Sequence, residues 1–208
     1  EPFDYLSESW DGADASAPLS PELLAADAFD PFSPALDAAR AAGLTTCYAA
    51  AGHGAVIDGQ GVAFKLRRAE RSGQMCIPGI EQMHFCLGEP AMLAFKARQQ
   101  PPMPRRRVRA LLKKELDKAA AADAADDPGA KALRRVLAGE MKARFYCLGA
   151  QDIDAALALA ECYGMDCVID GAYESWKLPR TLREKGVSVT LLRYENHRAL
   201  VYVYREQN

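Results

Sequence analysis

No C-x-x-C pair, no apolar run long enough to cross a bilayer and no excess of basic charge occur in this sequence of 208 residues. The six cysteines (Cys47, Cys76, Cys86, Cys147, Cys162, Cys167) are scattered through apolar stretches, which argues for reduced, mostly buried thiols and against a disulfide framework or zinc cluster. The longest apolar runs, such as Ala155 to Ala160 and Val187 to Leu192, fall far short of the ~20 residues a spanning helix needs. A formal net charge of -2 gives no electrostatic footprint for nucleic acid or an anionic membrane, so neither is expected as a partner. No charged-apolar-small signal segment opens the chain, and a cytoplasmic location is the default expectation.

The composition is that of an ordinary globular protein, half hydrophobic and 26% charged. The stretch GLTTCYAAAGHGAVIDGQGVAFK, from Gly43 to Lys65, sets a glycine-rich turn with one histidine between two apolar runs. It lacks the G-K-[ST] end of a phosphate loop, and the run after Gly61 is strand-like rather than helical, so it matches neither nucleotide-binding pattern. Residues 1–34 are rich in Asp, Ser, Pro and Ala and read as an extended N-terminal arm in need of a surface, with one short helix expected near Pro21 to Ala28.

Residues 35–208 form the second expected unit. The sequence predicts a helix from Ser33 to Gly43, strands at Leu44–Ala50 and Val56–Arg67, a helix opened by Pro90, and a long helix from Arg105 to Ala125. Helices at Ala130–Gly139, Asp152–Tyr163 and Trp176–Lys185 then alternate with strands at Ala143–Leu148, Cys167–Asp170 and Val187–Leu192. Such alternation predicts parallel strands joined by right-handed crossovers, the grammar of an α/β barrel or a doubly wound sheet. Five or six strands are countable, fewer than the eight of a closed barrel of ~250 residues. A chain that begins at Glu1 without methionine and ends just after a strand is therefore read as an incomplete barrel.

Four pieces carry a resemblance. ARAAGLTTCYAAAGHGAVIDGQGVAFKLR is similar to a segment of metal-dependent amidohydrolases, in the group related to imidazolonepropionase, that reads A-R-x-A-G-[VI]-T-T-V-x-V-x-P-G-S-x-N-x-I-G-G-Q-G. GIEQMHFCLGEP resembles their G-I-K-M-A-x-G-E-N-P, and the segment after it their P-x-T-R-M-G helix start. FYCLGAQDI and VIDGAYES resemble H-A-H-x-x-x-D-I and V-I-E-H-G-T-E-A. The resemblance implies a TIM-barrel-type (β/α) fold, present from about the second to the seventh strand, with the glycine loop joining strands near the catalytic mouth. It also implies a lineage that hydrolyses C–N bonds of cyclic amide-type substrates.

Chemistry in that family uses one or two divalent metals held by histidine and carboxylate, which lower the pKa of bound water and polarise the scissile carbonyl. The resemblance puts Tyr146 at the position of the fifth-strand histidine and Gly171 at that of the sixth, neither a ligand comparable to imidazole. The expectation is a degenerate metal site with no cofactor, zinc or another divalent metal applying only if the protein is active. The protein is then inactive or regulatory as it stands, or a binding or scaffold subunit that pairs with a complete amidohydrolase. Open barrel edges further lead to an expected homo-oligomer or a partner subunit completing the barrel.

Candidate substrate contacts are His53 in the mouth-side loop, Gln60, Tyr146 and Tyr173, with a surface loop histidine as the plainer reading of His53. Lys65, Glu89 and Glu174 match lysine and acidic positions of the family pattern and are weak metal candidates, against plain roles as a solvated strand end and acids near helix N-termini. His84, in an apolar strand-like run, reads as a core histidine, His197 as a turn residue and Asp152 as a helix cap. Tyr48, Tyr146, Tyr173 and Trp176 either form an aromatic patch beside the site or simply fill a barrel rim.

Overall fold

The computed structural model describes residues 14, 16–97, 99, 104–121 and 127–191. In chain order these form α1 (Pro34–Ala41), β1 (Thr46–Ala49), β2 (Ile57–Lys65), β3 (Cys76–Cys86), α2 (Glu89–Ala97), α3 (Arg105–Ala120), α4 (Pro128–Leu137), β4 (Lys142–Cys147), α5 (Ala150–Tyr163), β5 (Cys167–Gly171), α6 (Pro179–Glu184) and β6 (Ser188–Leu191). All six strands join one sheet in sequence order, curled into a half-barrel.

Only half of that sheet follows the expected parallel grammar. β3 to β6 run parallel, each pair separated by helices, whereas β1, β2 and β3 pair antiparallel. The reason is chain length: the links at 50–56 and 66–75 are too short for the crossover that parallel neighbours require. The glycine loop is thus a connection, as expected, but one within an antiparallel pair.

Period-two alternation sorts the strands onto two faces. On the outer face Met83, Phe85, Ala143, Phe145 and Ile169 are buried under α3, α4 and α5, with Phe85 stacked on Phe145 at 5.0 Å between ring centres. α3 contributes Val108, Leu112, Leu116 and Ala119, a spacing that puts all four on one helical stripe. A smaller cluster of Val62, Phe64 and Met75 packs under α1 and the arm, where Phe29 lies on Phe64 at 3.6 Å.

The arm from Pro21 to Ala28 does not form the expected helix. Its backbone is committed to β2: Gln60 N–H donates to the Leu23 carbonyl (2.8 Å) and Ala25 N–H to the Gln60 carbonyl (2.9 Å), with bridges Leu19 to Ile57 and Leu24 to Gln60. Gly59, at φ +92°, has no Cβ to obstruct the Leu23 carbonyl. Two helix ends also differ from expectation. α3 stops at Ala120, because Ala121 is already extended. The helix expected from Trp176 splits into a single turn, Ser175–Lys177, and α6, since Leu178 before Pro179 is driven out of helical angles. All six cysteines are free. No helix among the described residues is long and apolar enough to cross a membrane.

Candidate functional site

The concave face collects the polar groups that the outer face excludes. Register places His84 beside Arg144, Cys86 beside Tyr146, Tyr146 beside Asp170 and Asp170 beside Thr190. Arg144 is the hub: its Nε donates to Asp170 Oδ2 (3.0 Å), Nη1 to Gln82 Oε1 (3.1 Å) and Nη2 to Thr190 Oγ1 (3.1 Å). The Tyr48 ring lies against the guanidinium at 5.1 Å. The Tyr48 hydroxyl and His84 Nε2 share a 2.6 Å hydrogen bond, and Gly61 makes room for that pair, since a Cβ there would sit 2.8 Å from His84 Nε2 and overlap the Tyr48 hydroxyl.

The loop 50–56 lies at the carboxyl end of the parallel strands, because Ile57 at the start of β2 pairs with Phe85 near the end of β3. It brings the His53 ring flat against Tyr146, 3.4 Å between ring centres. Burial, with Arg144 adding to it, lowers His84 to about 3, and burial lowers His53 to about 4 against the opposing pull of Asp170. Both imidazoles are therefore neutral near neutral pH. Burial pushes Tyr146 up to about 12 and Tyr48 higher still, so both phenols stay protonated. The arrangement can donate and accept hydrogen bonds and present one fixed cation, but it supplies no ready nucleophile.

Of the expected contacts, the structure brings His53 and Tyr146 together and leaves Tyr173 half-buried in the loop after β5, at the same end of the sheet. Gln60 is turned away: its Nε2 holds the Pro21 carbonyl at 3.1 Å, on the arm side. His84 is the enclosed, hydrogen-bonded histidine expected, and His197 lies outside the described residues. Trp176 is 70% exposed with the Lys177 ammonium over its ring, so it does not join Tyr48 and Tyr146 in one patch.

The three weak metal candidates are separated. Lys65 pairs with Thr46 at the far end of β1 and β2, away from the mouth, and donates to Thr46 Oγ1. Glu174 accepts the Ala150 N–H (2.9 Å) at the start of α5 and the Lys177 ammonium; burial raises its carboxyl, but these two partners outweigh it and leave it lowered. Glu89 faces Arg105 at 3.7 Å with its Oε2 buried and unpartnered. Asp152 is not a cap: Gly149 occupies that position, and the Asp152 carboxylate, 2% exposed, takes Arg105 Nε at 2.9 Å and Nη2 at 3.2 Å.

The divalent metal implied by the family resemblance does not fit these residues. Among the described residues no group of three histidine, cysteine or carboxylate side chains could hold an ion. Asp170 is already neutralised by Arg144, whose fixed charge repels a second cation, and His84 Nε2 is engaged by Tyr48. Gly171 sits at φ +82° with Tyr146 and Leu148 3.0 and 3.1 Å from where a Cβ would be, so its backbone favours glycine.

Arg144 and Asp170 are not among the residues that sequence motifs single out. The signal for Arg144 is the alternation in KARFYC and EQMHFC, polar residues at every second position between buried Ala143, Phe145, Met83 and Phe85.

Comparison with solved structures finds an amidohydrolase from Thermotoga maritima at a TM-score of 0.81 and 25% sequence identity, covering 88% of this chain and 51% of that one. The fold is amidohydrolase-like. The chain spans about half the length of that neighbour. No family model matches the sequence, and no curated protein does.

Proposed function

We propose that this chain is an amidohydrolase-type half-barrel whose concave face serves recognition or regulation and not metal-dependent hydrolysis of cyclic amides. The observation that carries this reading is the Arg144–Asp170 pair, with 14% and 15% of the two side chains exposed, spanning the face where the amidohydrolase resemblance calls for metal ligands. A bound anion or hydrogen-bonding ligand is compatible with a pinned guanidinium and neutral imidazoles; a divalent ion is not. Imidazolonepropionase-type chemistry would need the histidines whose positions the resemblance assigns to Tyr146 and Gly171. The test is hydrolysis of cyclic amides and imides by the purified protein with zinc or manganese supplied. Rates at the uncatalysed level support the reading, and metal-dependent turnover overturns it.

A second reading, a subunit that pairs with another copy or with a complete amidohydrolase, draws support from β6, where Leu191 is 69% and Val189 36% exposed on an outer face that elsewhere is covered by helices. Light scattering distinguishes the two: an assembly favours pairing, a monodisperse monomer excludes self-association.

A further inference from the structure

A cavity of about 540 Å³ lies between the arm, α1, the end of β1 with the first residues of the 50–56 loop, and the start of β2. Its size falls within the roughly 300–1,000 Å³ of small-molecule sites. Leu23, Phe29 and Leu36 give it an apolar wall, and Asp14, Asp27, Asp30 and Asp58 also line it. Among the described residues lining it there is no lysine, arginine or histidine.

Asp58 separates this cavity from a chance cluster of surface acids. It is 5% exposed, its Oδ1 accepts the Ala55 N–H at 2.7 Å, and its Oδ2 is buried with no hydrogen-bond partner. A buried carboxylate oxygen left unpaired costs roughly 1–3 kcal/mol or more, a cost that a donor entering the cavity removes. Apolar walls whose charged groups, among the described residues, are all acidic favour a molecule with an apolar body and a positively charged donor.

We infer that this cavity binds a small amine, an ammonium group on an apolar body, with Asp58 as its anchor. Burial, opposed by backbone hydrogen bonds and reinforced by Asp14, pushes the empty Asp58 carboxyl up to about 8. At neutral pH it is therefore protonated before binding, and entry of an ammonium group transfers that proton to the buffer as the ion pair forms. No covalent step is involved.

The test titrates phenethylamine, phenethyl alcohol and hydrocinnamate into the protein by calorimetry, in two buffers of different ionisation enthalpy. The expected result is binding of the amine at least about tenfold tighter than the alcohol, no binding of the acid, and proton release on amine binding. Asp58→Asn is expected to erase both the amine preference and the proton release. Leu36→Trp, which enlarges a wall residue and leaves the Asp58 side chain itself unchanged, is expected to abolish amine binding, so the proposal stays testable if the Asp58 variant fails to fold. Absence of amine binding to the wild type, equal affinity for amine and alcohol, or undiminished amine binding by either folded variant would overturn it.

Discussion

Arg144 and Asp58 are both largely enclosed, one on the concave face and one beside the arm, yet their surroundings differ in kind. Arg144 donates to Asp170, Gln82 and Thr190 and carries Tyr48 on its face. Asp58 has one oxygen held by backbone N–H and the other without a hydrogen bond. The concave side is a self-satisfied network, whose groups are held in place by each other. The arm side holds an unmet hydrogen-bonding capacity at Asp58 Oδ2. In this half-barrel the Arg144 network is closed on itself, whereas Asp58 beside the arm and Glu89 after β3 each keep one buried carboxylate oxygen without a hydrogen bond.

The sharpest way to break the concave network is Arg144→Met, which leaves Asp170 buried without its cation. Loss of one partner of a buried pair destabilises by ~3–5 kcal/mol, expected as a lowered urea midpoint at unchanged slope. A mere surface ion pair would lose less than about 1 kcal/mol, and that outcome would remove the network from the account.

The two sides should also respond oppositely to pH. Asp58 is raised from 3.8 to about 8, so its contribution to stability is complete below 3.8 and is lost as pH rises through about 8. His84 is lowered from 6.5 to about 3, so its contribution is complete above 6.5 and is lost as pH falls toward about 3. Stability measured against pH is expected to fall between 6.5 and about 8, by up to about 1.4 kcal/mol per unit. Asp58→Asn should flatten that fall, and His84→Gln should flatten the acid limb only. Identical profiles for the two variants would contradict the contrast.

Gly61→Ala presses a methyl group into the Tyr48–His84 pair and is expected to cost ~1–3 kcal/mol, with His84 becoming easier to protonate by NMR titration. Smallest is Glu174→Ala, which removes the side-chain acceptor from Ala150 N–H at the start of α5; about 1 kcal/mol is expected from thermal unfolding, with the concave network untouched.

Local pattern makes much of the fold legible. The alternation in KARFYC and the glycine after α5 each specify their element without long-range help, whereas α4 begins at Pro128 behind Asp127, two residues before the expected Ala130. The antiparallel start of the sheet is written in the shortness of residues 50–56, but the regular alternation downstream points toward parallel strands throughout. The arm defeats local reasoning because its backbone groups are answered by β2, some forty residues along the chain, as the Pro21 carbonyl accepting from Gln60 Nε2 shows. Arg144 and Asp170 meet only through the β4–β5 register, which no single segment encodes. Asp58 sits inside the apolar run AVIDGQGVAF, and nothing there indicates that the arm will enclose it.

The central claim, that a pinned guanidinium and not a divalent ion organises the concave face, is tested most directly by metal content per chain. The measurement is elemental mass spectrometry on the protein purified without chelator or histidine tag. Zinc, iron and manganese far below one equivalent are the expected result; about one equivalent, retained through dialysis and lost in no concave-face variant except those at His53, His84 or Asp170, would contradict it.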